Sequence, residues 1–185
     1  MKIIWAFSAG AFLCLVTFPS PVYAGRDFEV IDQNGQKLQF YRDVVAGRTV
    51  AIDFIFTTCQ TVCPTLGITF ARVEKLLSGH GNGEIRLISV SVDPVNDTPE
   101  QLRGFAAASH GHIGWRPPSD VGWTLLTGDK RMIDELLRAL GGYTPDKVLH
   151  STTVLVGRGN GNWVRVSGLG PAEKISKLLL DEARR

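Results

Sequence analysis

Two kinds of apolar run alternate along this chain. Thr49–Phe56 and Ile85–Val92 are apolar or β-branched at nearly every position, the pattern of strands buried on both faces of a sheet. Between them, Leu66, Phe70, Val73, Leu76 and Leu77 recur at helical spacing, which predicts a helix over Val62–Leu77, closed by Ser78-Gly79-His80-Gly81. Upstream, Phe28–Ile31 and Lys37–Tyr41 flank Asp32-Gln33-Asn34-Gly35, and Asn-Gly is a strong turn signal, so an N-terminal hairpin is expected. Downstream, Thr98-Pro99-Glu100-Gln101 opens a second helix, with Thr98 as N-cap and Gln101 placed to close a capping box. A short strand at Trp123–Leu126 and a helix at Asp129–Leu140, stopped by Gly141-Gly142, come next. Thr152–Val156 and Asn162–Val166 form a second hairpin around a Gly-rich turn, and Pro171–Ala183 is a closing helix.

This order predicts one α/β domain, a central mixed β-sheet flanked by helices and preceded by a β-hairpin, compatible with a thioredoxin-like architecture. The length of 185 residues, 44% of them hydrophobic, is enough for one core. A net charge of +2 argues against nucleic-acid binding through a phosphate-neutralising face.

The N-terminus reads differently. Lys2 is followed by an uncharged stretch to Gly25, apolar from Ile3 to Phe18, after which Pro19 and Pro21 break the helix. Val22-Tyr23-Ala24 offers small residues where a signal peptidase reads, so residues 1–24 are expected to be a signal peptide cleaved after Ala24. The alternative is a retained membrane anchor over residues 3–24. Either reading exports residues 25–185 as the domain. Cys14 leaves with a cleaved signal, and Cys59 and Cys63 remain.

Those two cysteines carry the chemistry. Asp53-Phe54-Ile55-Phe56-Thr57-Thr58-Cys59-Gln60-Thr61-Val62-Cys63-Pro64-Thr65 delivers them from a buried strand into the start of a helix. With a helix beginning near Cys59, positions four apart share a face, and the helix N-terminus favours the thiolate form that binds soft metals and exchanges disulfides. Pro64 is tolerable only in a first turn, which supports this placement. A structural disulfide is the plainer reading, but so short a loop gains little entropy from closure. His150 begins the stretch entering the strand at Thr152. In a thioredoxin-like fold that entry faces the cysteine loop, and the site of the usual cis-proline is held here by Ser151 or Thr152. Two thiolates and one imidazole suit Cu(I) or Zn(II), with soft sulfur favouring Cu(I).

Phe56-Thr57-Thr58-Cys59 through Cys63-Pro64-Thr65, the segment Ser91-Val92-Asp93-Pro94-Val95-Asn96-Asp97-Thr98-Pro99-Glu100, and Leu149-His150-Ser151 together resemble the Sco/SenC family of copper-binding, thioredoxin-like proteins. The resemblance spans residues 28 to about 180. It implies a periplasmic or membrane-anchored metallochaperone that binds one copper, Cu(I) or Cu(II), through Cys59, Cys63 and His150. It further implies delivery to an oxidase subunit during assembly of the cytochrome c oxidase copper site, with a thiol reductant or copper donor as further partners. Asp93 is implied to shape the site, beside its plain reading as a strand-end turn residue. The chain departs from the family at Gln60-Thr61-Val62, where Pro-Asp-Ile is more usual, and at Leu149, which replaces a common Asp. A thiol-disulfide oxidoreductase using Cys59 and Cys63 as its redox pair is the alternative, and a redox or copper sensor a third class. His110 and His112 form an H-x-H expected in a solvated loop, His80 lies among glycines, and Trp115, Trp123 and Trp163 are expected in packing.

Overall fold

The computed structural model describes residues 26–117, 119–159 and 163–185, so the segment expected to be a signal peptide and the tip of the second hairpin lie outside the described residues. Among the described residues, seven strands form one mixed sheet in the order β2-β1-β5-β4-β3-β6-β7. The N-terminal hairpin is β1 (Glu29–Asp32) and β2 (Lys37–Gln39), turning on Gly35 at a φ of 82°. Phe40 and Tyr41 do not extend β2, as expected from sequence, but enter a wide helical turn, Phe40–Val45. Their burial explains the difference: Phe40 packs against Tyr41 and beside Val44 and Val45 in the core instead of pairing along an edge strand.

β3 (Thr49–Ile55), β4 (Ile85–Ser91) and β5 (Trp123–Thr127) run parallel, joined by α1 (Cys63–Leu77) and α2 (Pro99–His112). After α3 (Lys130–Leu140), β6 (Thr153–Arg158) returns antiparallel to β3, and β7 (Val164–Ser167) pairs with it before α4 (Ala172–Ala183). The predicted capping box of α2 is present: Thr98 accepts from the Gln101 N–H, and the Gln101 side chain accepts from the Thr98 N–H. Gly141, at a φ of 69°, ends α3 in the left-handed conformation that glycine adopts without penalty.

β3 alternates between two cores. Ala51 and Ile55 face Leu66, Phe70 and Leu77 of α1 and Ile175 and Leu179 of α4. Val50, Ile52 and Phe54 face Ile133, Leu136 and Leu140 of α3 and the wide turn. This topology sets the position of the site. The carboxyl ends of parallel β3 and β4 lie at the same end of the sheet, and because β6 is antiparallel to β3, the residues entering β6 arrive there too.

Candidate metal centre

At that end, Cys59, Cys63 and His150 place their ligand atoms within 4.8 Å of one another, the one such group among the described residues. Cys63 is fully buried, while Cys59 and His150 are 9% and 6% exposed. Both cysteines are free thiols.

Helix α1 begins at Cys63, not near Cys59. The reason is Pro64, which sits in the first turn as expected. A helix started at Cys59 would carry Pro64 into its second turn, where the missing N–H and the ring clash with a preceding carbonyl. Cys59 therefore stands in the turn before the helix, its N–H donating to the Phe56 carbonyl at 3.2 Å. The helix terminus still serves it, because the Cys63 N–H, left without an intrahelical acceptor, donates to Cys59 Sγ at 3.4 Å. The Thr61 hydroxyl lies 3.4 Å from the same sulfur.

These contacts divide the two thiols. Burial disfavours the Cys59 thiolate, but the Thr61 hydroxyl and the N–H groups of Cys63 and Thr61 outweigh it and bring the pKa down to about 6. Cys63 goes the other way. Burial pushes its thiol far up, and the charges of Cys59 and Asp53 add to the effect. Cys59 also lines a groove of about 230 Å³ with Thr57, Pro64, Ile68, Phe105 and His112, which gives it access to solvent.

The orientation of His150 follows from one bond. Its Nδ1 lies 3.2 Å from the Ser151 carbonyl oxygen, which can only accept, so Nδ1 carries the proton. The Nε2 lone pair then faces Cys63 Sγ at 3.2 Å, free for a thiol proton or a metal ion. Leu149, which stands where the family more often has Asp, is exposed. The ring is steadied by Phe56, edge-on at 5.3 Å between centroids.

Asp93 does not approach as a ligand. Its carboxylate pairs with Lys147 and accepts twice from Asn96 Nδ2, at 3.0 and 2.9 Å. Sequence reasoning gave no role to three residues the structure singles out. Asp97 is fully buried and accepts from Thr57 and Ser91. Lys147 pairs with Asp93 ahead of the histidine. Asp53, on the α1 face of β3, is fully buried with no hydrogen bond to either oxygen, and burial raises its pKa to about 7 against a smaller pull from the neighbouring Ser89 hydroxyl. An acidic residue in an otherwise apolar strand is the signal that could have found Asp53.

The H-x-H is corrected. α2 runs through to His112, since Gly111 is tolerated in a last turn, and His110 is buried inward rather than solvated. Its Nε2 meets Glu74 Oε2 at 2.8 Å, and it packs against Trp115 and Trp123, so the two histidines do not converge. Glu74, His110, Trp115 and Trp123 border a larger cavity, about 820 Å³, that none of Cys59, Cys63 and His150 lines. Trp123 lies in the core as expected, its indole N–H donating to Ser89 at 2.9 Å.

A mixed sheet flanked by helices, with two thiols and an imidazole converging at the carboxyl ends of its parallel strands, defines a thioredoxin-like protein whose converging donors suit a soft metal. The family model described as SCO1/SenC matches residues 19–178, and the chain belongs to that family. It is similar to the SCO1 protein homolog of Bacillus subtilis (strain 168), 35% identical over 135 residues, covering 69% of this chain and 65% of that protein. It is also similar to a putative copper-binding protein of Stutzerimonas stutzeri, 31% identical over 114 residues, covering 61% of this chain and 50% of the relative. The chain thus spans half to two-thirds of the length of these relatives. Among solved structures, a SCO1/SenC family lipoprotein from Bacillus anthracis str. Ames aligns with a TM-score of 0.66 at 26% identity, over 85% of this chain and 94% of that one. BsSco, described with a disulfide switch as a member of the Sco family of cytochrome c oxidase assembly proteins, aligns with a TM-score of 0.67 at 27% identity, over 86% and 92%. Bradyrhizobium japonicum ScoI with copper bound shares the fold, with a TM-score of 0.66 at 21% identity, over 85% and 98%.

Proposed function

We propose that this protein is an exported copper metallochaperone that binds one copper through Cys59, Cys63 and His150 and passes it to a copper-accepting subunit of cytochrome c oxidase during assembly. The observation that carries the reading is the convergence of the three ligand atoms, with the imidazole lone pair already turned toward the sulfurs. Copper here is cargo. A neutral imidazole and two sulfurs give Cu(I) a soft, low-coordinate seat, and metal binding draws the proton from Cys63 that burial otherwise keeps on the thiol. Family membership supports the assignment, as do the copper-bound relative and the Sco protein described as an oxidase assembly protein. Export rests on the sequence of residues 1–24, and no helix among the described residues is long and apolar enough to cross a membrane. The domain then faces the periplasm, free or held at the membrane.

The test is a Cu(I) competition titration of the reduced protein. One equivalent binds tightly, and Cys59→Ser or Cys63→Ser abolishes the tight site. Full affinity in either variant overturns the reading. Mass spectrometry of the native protein decides the N-terminus: Gly25 marks a cleaved signal, and Met1 or Lys2 a retained anchor.

A second reading has its own support in the unequal thiols. Cys59, ionised near neutral pH beside a protonated Cys63, is arranged as an attacking thiolate for disulfide exchange with a partner. Turnover of a disulfide substrate by the copper-free protein, abolished by Cys59→Ser, favours this reading.

A further inference from the structure

The loop joining β4 to α2 supplies no metal ligand, yet its two carboxylates reach opposite halves of the site. Asp97 Oδ1 accepts from the Thr57 N–H at 3.0 Å and from the Thr57 hydroxyl at 2.6 Å, and Oδ2 accepts from the Ser91 hydroxyl at 2.6 Å. Three donors compensate a carboxylate with no exposure to water. Thr57 stands two residues before Cys59, so this carboxylate ties the cysteine loop to the end of β4. Asp93 reaches the other way. It takes the ammonium of Lys147, three residues before His150, and Asn96 holds it in place. The same ammonium lies 5.3 Å from the centroid of Phe56, the ring on which His150 rests.

We infer that the Asp93–Asp97 loop is a two-armed bracket that sets the geometry of the metal site, Asp97 holding the cysteine loop through Thr57 and Asp93 holding His150 through Lys147. The inference rests on the copper reading above and adds Asp97, Thr57 and Lys147 as positioning residues. The ligands need such support because Cys59 and His150 both stand on irregular backbone, outside helix and strand. Neither loop has ladder hydrogen bonds to fix it, and a ligand displaced by a fraction of a bond length loses much of its metal affinity. The arms attach to different loops, so each acts on its own half. Lys147 matters only while His150 is there to be held, whereas Thr57 matters whether or not the histidine is present.

The experiment reads Cu(I) affinity by competition in the full chain, with Thr57→Val, Thr57→Ser and Lys147→Met made in the wild type and in a His150→Ala background. Each of Thr57→Val and Lys147→Met weakens binding about tenfold, the lower end for residues that orient ligands, and Thr57→Ser restores it. In the His150→Ala background the Lys147→Met loss falls below about twofold, while the Thr57→Val loss persists. A second readout needs no copper: Thr57→Val slows closure of the Cys59–Cys63 disulfide under mild oxidation, and Lys147→Met leaves it unchanged. Wild-type affinity and disulfide closure in both variants overturn the bracket. A Lys147→Met loss that is the same with and without His150, or slowed disulfide closure in Lys147→Met, overturns the division into two arms. A wild-type protein that takes no Cu(I) overturns the copper reading instead, and the disulfide readout still judges the bracket.

Discussion

Nε2 of His150 lies 3.2 Å from Sγ of Cys63, with the far nitrogen of the ring held by the Ser151 carbonyl. An imidazole so fixed is committed to one tautomer before any metal arrives. Disulfide exchange, by contrast, needs an attacking thiolate and an accessible sulfur, not a third ligand. His150→Ala should therefore weaken Cu(I) binding by more than the roughly 10–100-fold typical of removing a ligand's hydrogen-bond partner, while Cys59 and Cys63 still form their disulfide. Copper competition beside exchange kinetics on one preparation checks this, with circular dichroism to confirm the fold. Slowed exchange with copper binding intact would move the histidine to thiolate chemistry and the protein to the oxidoreductase reading.

The unequal thiols predict an order of modification. With a pKa of about 6, Cys59 is mostly thiolate at pH 7, and Cys63, pushed far up by burial, is not. Limited iodoacetamide at pH 7 should label Cys59 almost alone, and Cys59→Ser should leave a protein that labels slowly. Peptide mass spectrometry gives the ratio, and comparable labelling of both sulfurs refutes the asymmetry.

Asp53 predicts a pH dependence of stability. In the fold its carboxyl keeps a proton to about pH 7, whereas the unfolded chain releases it near 3.8. Unfolding between those values releases a proton, so this residue's contribution is fully present below pH 3.8 and is lost as pH rises through 7. The gap corresponds to roughly 4 kcal/mol on the linkage scale. Cys59 acts oppositely, adding stability as pH rises between about 6 and 9.0, so the difference between variant and wild type carries the test. Asp53→Asn should raise the melting temperature at pH 8 by several degrees and change little at pH 4. An equal effect at both pH values would mean that the carboxyl is not protonated in the fold.

Val148 and Leu149, beside His150, and Val95, on the loop that Asp93 and Lys147 tie to it, are 69%, 74% and 69% exposed. Under the proposed function, these apolar side chains beside His150 are where a copper acceptor would dock. Leu149→Asp should leave Cu(I) affinity unchanged and slow transfer to an oxidase acceptor domain on the order of tenfold, as loss of one apolar anchor does. Unchanged transfer rates would place docking elsewhere.

The two periodicities made the sheet, helices and capping box legible because burial there follows a regular repeat. The apolar spacing places the helix over Val62–Leu77, one residue from its observed start at Cys63, and Pro64 keeps Cys59 in the turn before it. The three residues that converge are legible as residue types in a known order, but the bonds that orient them are not. The Ser151 carbonyl has no side-chain signature, and the grip of Asp97 on Thr57 crosses 40 residues. His110 reads as a loop residue from sequence because its partner, Glu74, lies 36 residues away on another helix, where no local pattern reports it.

His150 arrives 87 residues after Cys63, on the segment that enters β6, the last strand to join β3. A chain synthesised as far as β5 already carries both sulfurs without their imidazole. Closing so long a loop is slow compared with forming α1. The three side chains therefore come together only once β6 has paired with β3, the long-range step in assembling the group.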